Sequence, residues 1–422
     1  MIPKSIKLRD CIVQLNTGLN PRDNFSLGEG SIKYITAKNL NKAGYIDFSS
    51  CDYIDEQAKE IIHRRSDIQI GDILFASRAP IGHCHLITED PSFYDVGESI
   101  FCIRVNKEII VPEYLCLYLS SDLFIKMASK RVTGSVIQEI RISDLLDTDV
   151  VLPDKHVQTK IAKCIGYIDK KIELNKTICF NLESMAKLLY DYWFVQFDFP
   201  NENGKPYKSS GGKMVWNEEL KREIPDGWSA KKLSKIADIV TTSITTENSS
   251  YYLHYSIPAF DENKMPSNDK GDAIDSNKYL VPDNAVLVSK LNPHFQRVWW
   301  VGKHRKNSIC STEFMPFVAQ TNIYEYLYSL LKSVQFYTFM VNSSSSSTGS
   351  RKRMQPDLCL DFMIPYPDDD RIIHSYCSIT NPVLQKVSES LKENQELASL
   401  RGFLLPMLMN GQVKVKKEDD NE

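Results

Sequence analysis

Few residues in this sequence could do chemistry, and their spacing excludes more than it supports. Asn292-Pro293-His294-Phe295 sets an amide, a proline carbonyl and an aromatic ring in a row, a set able to hold an extruded amino-bearing base and stack on it. The second proline such a tetrad needs is missing. Neither a glycine-rich strand-to-helix turn suited to S-adenosylmethionine nor a P-loop occurs, so no cofactor is assigned. His83-Cys84-His85 would place two imidazoles on one face of a strand, but no other ligand pair lies nearby, and packing is the better reading. Asp368-Asp369-Asp370 stands directly before a helical pattern, where carboxylates cap the helix and offset its dipole. No catalytic residue and no metal ligand is assigned.

The basic loops are more informative. Arg64-Arg65 and Lys130-Arg131 lie in the first half, Lys303-His304-Arg305-Lys306 and Arg351-Lys352-Arg353 in the second. Arginine and lysine supply phosphate contacts and bidentate contacts to guanine, and asparagine or glutamine can read adenine, so a DNA-facing surface uses this mixture. The formal charge of −3 gives no overall attraction to nucleic acid, which leaves the work to local patches. The 10 cysteines include no C-x-x-C pair, which suits buried thiols in a reducing compartment. Met1-Ile2-Pro3-Lys4 opens no apolar leader, and no apolar run approaches the ~20 residues of a membrane span, so a cytoplasmic protein is expected.

Two kinds of element must carry these loops. From Lys7 to about Leu152, short strand-like runs such as Ile100 to Val105 alternate with turns, and Pro112 opens a helix with an apolar face reaching Met127. The block repeats after the opener Ile224-Pro225-Asp226-Gly227-Trp228. Val286-Leu287-Val288-Ser289-Lys290 aligns with Leu74-Phe75-Ala76-Ser77-Arg78, and Ser347-Thr348-Gly349-Ser350 with Val132-Thr133-Gly134-Ser135. Each block runs into a long heptad-patterned helix. The first has the seam Ile161, Ile165, Ile168, Ile172, Asn175, Cys179, Leu182, Ala186, Leu189 and Trp193; the second runs from about Arg371 to Met409. Each seam carries one asparagine at the same repeat position, and two such helices satisfy each other as an antiparallel pair; if a pseudo-two-fold axis crosses near the seam's midpoint, Asn175 meets Asn394 and fixes register, the alternative being that each asparagine faces water through a gap in the coil. A strut of ~50 Å spans ~15 base pairs, the length of a ruler between two readers.

With these residues in place the chain resembles the specificity subunit of type I restriction–modification systems. The stretches that carry the resemblance are Lys187 to Phe194, Phe197 to Tyr207, Ser209-Ser210-Gly211-Gly212 and Ile224 to Trp228. It implies a non-catalytic, cytoplasmic DNA-binding protein with two target-recognition domains, each reading one half of a split sequence. The domains are separated by two antiparallel helices that dock methyltransferase subunits, with restriction subunits joining through the complex. The fold class is α+β, two mixed α/β domains in pseudo-two-fold repeat. The expected bounds are 1–152 and 226–367 for the recognition domains, 153–197 and 368–412 for the helices, 198–225 for a linker and 413–422 for a charged tail. Expected DNA contacts are Ser77, Arg78, Arg131, Thr133, Ser135, Lys290, Asn292, Lys303, Arg305, Ser347, Thr348, Arg351, Lys352 and Arg353. The expected partner surface is Leu188, Tyr192, Trp193, Phe194, Phe403, Leu404, Met407 and Leu408, more apolar surface than a two-helix seam needs. A scaffold joining two protein partners and a self-contained adenine methyltransferase are the alternatives.

Overall fold

A computed structural model describes residues 4–22, 24–41, 44–129, 139–302, 306–346 and 352–413. The fold is α+β and divides into two compact units, residues 1–171 with 397–422 and residues 172–396. In the first unit a four-stranded antiparallel sheet has the order Ile12–Thr17, Ile100–Val105, Ile73–Ala76, Cys84–Leu86. Beside it, Ile32–Ile35 pairs antiparallel with Asp52–Ile54 and parallel with Tyr94–Val96. The second unit repeats the four-stranded sheet with Ala237–Ile239, Phe314–Ala319, Val286–Ser289 and Val298–Trp300. Its second sheet is larger, with five strands, and keeps the parallel pair, here Tyr251–Tyr255 with Ser308–Ser311.

In both units the central strand is buried along its whole length, Ile73–Ala76 in one and Val286–Ser289 in the other, because the sheet is covered on both faces. Hydrogen bonding sets the equivalence of the two halves, and it differs by one residue from the sequence alignment above. Ile73 faces Ile103 and Val286 faces Phe317, Ser77 N–H donates to Ser99 O and Lys290 N–H to Glu313 O, so Lys290 matches Ser77 and Leu291 matches Arg78.

The helix opened by Pro112 is also two helices, Pro112–Leu119 and Asp122–Ser129. Ser121 breaks it: its hydroxyl accepts the Phe124 N–H at 3.2 Å, so the chain restarts with a new cap. The same break recurs at Ser333, which accepts from Phe336 N–H at 3.2 Å.

Each unit is closed by a strand pair that also launches a long helix. Lys4–Lys7 pairs with Asp149–Leu152, and the first helix follows at Lys155–Tyr190; Trp228–Lys232 pairs with Met363–Pro367, and the second follows at Arg371–Met409. The first helix ends in a widened π turn, Asp191–Val195, closed by Gln196 N–H to Asp191 O at 2.8 Å. That turn carries Tyr190, Trp193 and Phe194 into one aromatic cluster with Tyr326 and Tyr376. Trp193 and Phe194 are therefore core residues of the second unit, buried and unavailable to a partner, and Leu408 is likewise buried in the core of the first.

The helices run antiparallel in both units. In the first, Ile161 and Ile165 share a core with Leu405 and Leu408, and Arg401 Nε donates to Asp169 Oδ1 at 2.7 Å. In the second, Asn175 Nδ2 donates to Asn394 Oδ1 at 3.0 Å and to Glu393 Oε2 at 2.7 Å, and Asn394 Nδ2 donates to Ile172 O at 3.3 Å. Farther along, Tyr376 Oη donates to Ala186 O at 3.3 Å. Glu183 ties the first helix to the globule of its unit through Lys332 at 3.0 Å and Lys264 at 3.3 Å. Burial pushes the Glu183 carboxyl up, but the two ammonium groups outweigh it and hold it below the usual carboxylate range.

Asn175 is almost fully buried, so its partner matters more than its own polarity. Asn394→Leu should cost about 1 kcal/mol by leaving the Asn175 amide under-satisfied, whereas Asn175→Leu with Asn394→Leu should raise the melting temperature above that of the single variant. Thermal denaturation of the two variants reads both signs, and a double variant less stable than the single would contradict the account. Because the folded Glu183 carboxyl is depressed, its stabilisation is present above the unfolded value of about 4.3 and fades as pH falls through the folded value. Glu183→Gln should therefore lower the melting temperature at pH 7 and make progressively less difference as the medium is acidified below about pH 4.

Candidate nucleic-acid interface

The expected contact residues that are described converge on one place in each unit. It lies where the chain leaves the buried central strand and meets a segment returning from the region after the paired helices. In the first unit Ile140 N–H donates to Ser77 O, and Arg78 bridges to Glu139. In the second, Met354 N–H donates to Lys290 O, Leu291 bridges to Arg353, and Asn292 N–H donates to Lys352 O. Asn292 sits in the left-handed region at φ 48, an accepted conformation for asparagine, and its Oδ1 takes the Lys352 N–H at 3.1 Å. Lys290, Asn292, Lys352 and Arg353 are thus brought together. Arg131, Thr133, Ser135, Lys303, Arg305, Ser347, Thr348 and Arg351 lie outside the described residues.

Ser77 is a correction. Its side chain is fully buried and its hydroxyl donates to Ser99 O at 3.0 Å, so it braces the strand end and offers nothing to a ligand. Arg78, half-buried, is held by Glu98 at 2.7 Å and Glu139 at 3.4 Å. Its hydrogen bond keeps the Glu98 carboxyl below the usual range against the opposing effect of burial, with a further contribution from Asn20. The second unit reaches a similar pairing from the opposite segment. Arg353, on the returning side, makes a 2.7 Å contact to Glu313, whose hydrogen bond raises the guanidinium value further.

Glu98, Glu139 and Glu313 went unnoticed in the sequence. Glu98 follows Gly97 directly before a buried strand, a position that could have marked it, whereas Glu139 and Glu313 carry no local signal. The arrangement offers oriented guanidinium and ammonium donors on rigid strand ends, suited to phosphate oxygens and base edges. Among the described residues no group of three metal-ligating side chains converges. His83 and His85 are engaged with the backbone carbonyls of Leu40 at 2.6 Å and Gly44 at 2.7 Å.

The helices present apolar side chains as well. In the second unit Leu188 is 68% exposed and Tyr192 37%; in the first Phe403 is 63% exposed, while Leu404 and Met407 are half-buried. Tyr167, Leu174, Phe180 and Met185 on the first helix are also exposed and were not singled out in sequence, because they fall outside the seam.

Residues 5–184 match the family described as the type I restriction modification DNA specificity domain. Over 404 residues the chain is 26% identical to the type I restriction enzyme MjaIX specificity subunit of Methanocaldococcus jannaschii, spanning 92% of this chain and 88% of that one. It is 23% identical over 439 residues to the HindI specificity subunit of Haemophilus influenzae, spanning 88% and 92%. The crystal structure of a type I restriction–modification S subunit from M. genitalium shares the fold, with a TM-score of 0.59 at 14% identity over 97% of this chain and 99% of that one. The domain match covers the first globule and most of the first helix, and the similarity to type I restriction enzyme specificity subunits extends over both repeats.

Proposed function

We propose that the chain is the sequence-reading, non-catalytic subunit of a type I restriction–modification complex, acting on duplex DNA in the cytoplasm. Residues 1–152 and 226–367 serve as its two target-recognition domains, each reading one half of a bipartite site. The exposed apolar positions of the long helices receive methyltransferase subunits, two in the complex, and restriction subunits join through them. The observation that carries this reading is the repeated strand exit: one scaffold, Ser77 bonded to Ile140 and Lys290 bonded to Met354, occurs twice with different side chains around it. That is what reading two unrelated half-sites on a common frame requires. Co-expression with the cognate methyltransferase subunit, followed by mapping of modified bases, tests it. A split motif with a fixed spacer is the expected result, and an uninterrupted motif or no motif would count against it.

Two further outcomes follow from the geometry. Lys352→Ala with Arg353→Ala should weaken binding to the mapped duplex several-fold and reduce the slope of log affinity against log salt by roughly one to two, one per lost phosphate contact. An unchanged slope would remove this segment from the backbone interface. Leu188→Asp with Tyr192→Asp should leave the chain folded, since both side chains are solvent-accessible, while reducing recovery of the methyltransferase subunit in co-purification. Full recovery with a folded chain would clear this part of the helix of any partner role.

A further inference from the structure

The turn Leu291 to Arg297 in the second unit holds an aromatic ring outward on an unusually complete set of supports. Phe295 is 54% exposed. The Arg297 guanidinium lies 4.9 Å from its ring centroid and is itself fixed by two 2.7 Å bonds to Asp261, and the His294 ring packs alongside at 4.3 Å. The backbone beneath is equally tied. Pro293 is buried, Asn292 is bonded both ways to Lys352, Tyr337 Oη donates to His294 O at 3.4 Å, and Gln296 Nε2 donates to Lys332 O at 2.9 Å. A lone exposed phenylalanine needs no explanation, but one whose neighbours are immobilised so that it projects is preorganised for a contact.

The other unit shows that the fold does not need it. There the turn spans 77–82 instead of 290–296, between the equivalent bonds Ala76 N–H to His83 O and Ser289 N–H to Arg297 O. It contains no aromatic residue. Ile81 is half-buried against the core, and Gly82 leaves no room, since a Cβ there would stand 2.6 Å from the Ile125 side chain. The projecting ring is therefore private to the second unit, on the same turn as Asn292, which accepts the Phe295 N–H through its carbonyl and is bonded both ways to the exposed Lys352 at the strand exit.

We propose that Phe295, braced by His294 and Arg297, is an apolar wedge that enters a base step of duplex DNA in the half-site read by the second unit. The inference rests on the DNA-reading function proposed above and adds a mode of selection to it. A wedge pays unstacking energy that depends on the step it opens, so it favours flexible pyrimidine–purine steps without hydrogen-bonding to any base edge. The ring face then stacks on the base it exposes, and the neighbouring lysine holds the phosphate of the opened step.

The test uses the full chain with its methyltransferase subunit and a duplex carrying the motif mapped for the wild type, with 2-aminopurine placed at successive positions of both half-sites. Apart from the modified bases themselves, which the methyltransferase extrudes in either half-site, wild type should raise the fluorescence at one step in one half-site only. Phe295→Ala should abolish that rise and weaken binding roughly tenfold, the usual scale for losing one aromatic–base stack. Phe295→Leu, which keeps an apolar wedge, should retain the rise and most of the affinity. Equal affinity and fluorescence in wild type and Phe295→Ala, or no rise with wild type outside the modified bases, would overturn the wedge while leaving the mapped motif standing. Failure of the wild type to modify any split motif would instead remove the DNA-reading function on which the wedge depends.

Discussion

The structure depends on two helices, 36 and 39 residues long, neither of which can bury its apolar seam alone. Each needs a partner, and the partner comes from the far end of the chain: Asn175 meets Asn394 across 219 residues of sequence. Closing so long a loop has an entropic cost that grows only slowly with length, and a continuous seam can offset it. What the seam cannot do unaided is choose register, because a heptad slip conserves most apolar contacts. Asn175 and Asn394, with Glu393 and Ile172 taking their remaining bonds, make one register polar-satisfied and the slipped ones not.

The direction of each helix is fixed by its own globule as well as by the pairing. Asp149–Leu152 and Met363–Pro367 are each zipped to the opening strand of their own globule, so each helix leaves from a fixed strand end. Gln158, buried at the start of the first helix, accepts the Val111 N–H at 2.8 Å and donates to Pro153 O at 2.8 Å, which locks that exit to the globule's helices. Glu183, between Lys264 and Lys332, does the equivalent for the second globule at the helix's other end.

Much of this was legible in the sequence, and the failures have physical causes. The repeat was legible because turns, caps and strand ends use restricted residue types. Its register was not: runs such as Leu74-Phe75-Ala76 and Val286-Leu287-Val288 are buried on both faces, so they lack the alternation that distinguishes one register from the next. The excess of apolar residues near the helix ends was legible too, but composition does not say which way a side chain points. The π turn at Asp191–Val195 sends Trp193 and Phe194 inward while Leu188 stays outside, and that turn is a product of packing against Tyr326 and Tyr376, not of local propensity.

The same limit explains the candidate interface. Basic residues are visible in a sequence, whereas the acids that restrain them are distant: Glu98 and Glu139 for Arg78, Glu313 for Arg353. An arginine already satisfied by a carboxylate gains little by exchanging it for a phosphate, since one charge-assisted pair replaces another. It gains more where the ligand adds acceptors without displacing the acid, as the paired acceptors on guanine would. On the proposed reading, this pairing trims sequence-independent attraction and leaves discrimination largely intact. The two units reach that balance from opposite segments, Arg78 on the outgoing side and Arg353 on the returning side, so the guanidinium groups are offered at different points of one repeated frame. A scaffold that holds its backbone bonds constant and moves its charges between them can change what it reads without changing how it folds.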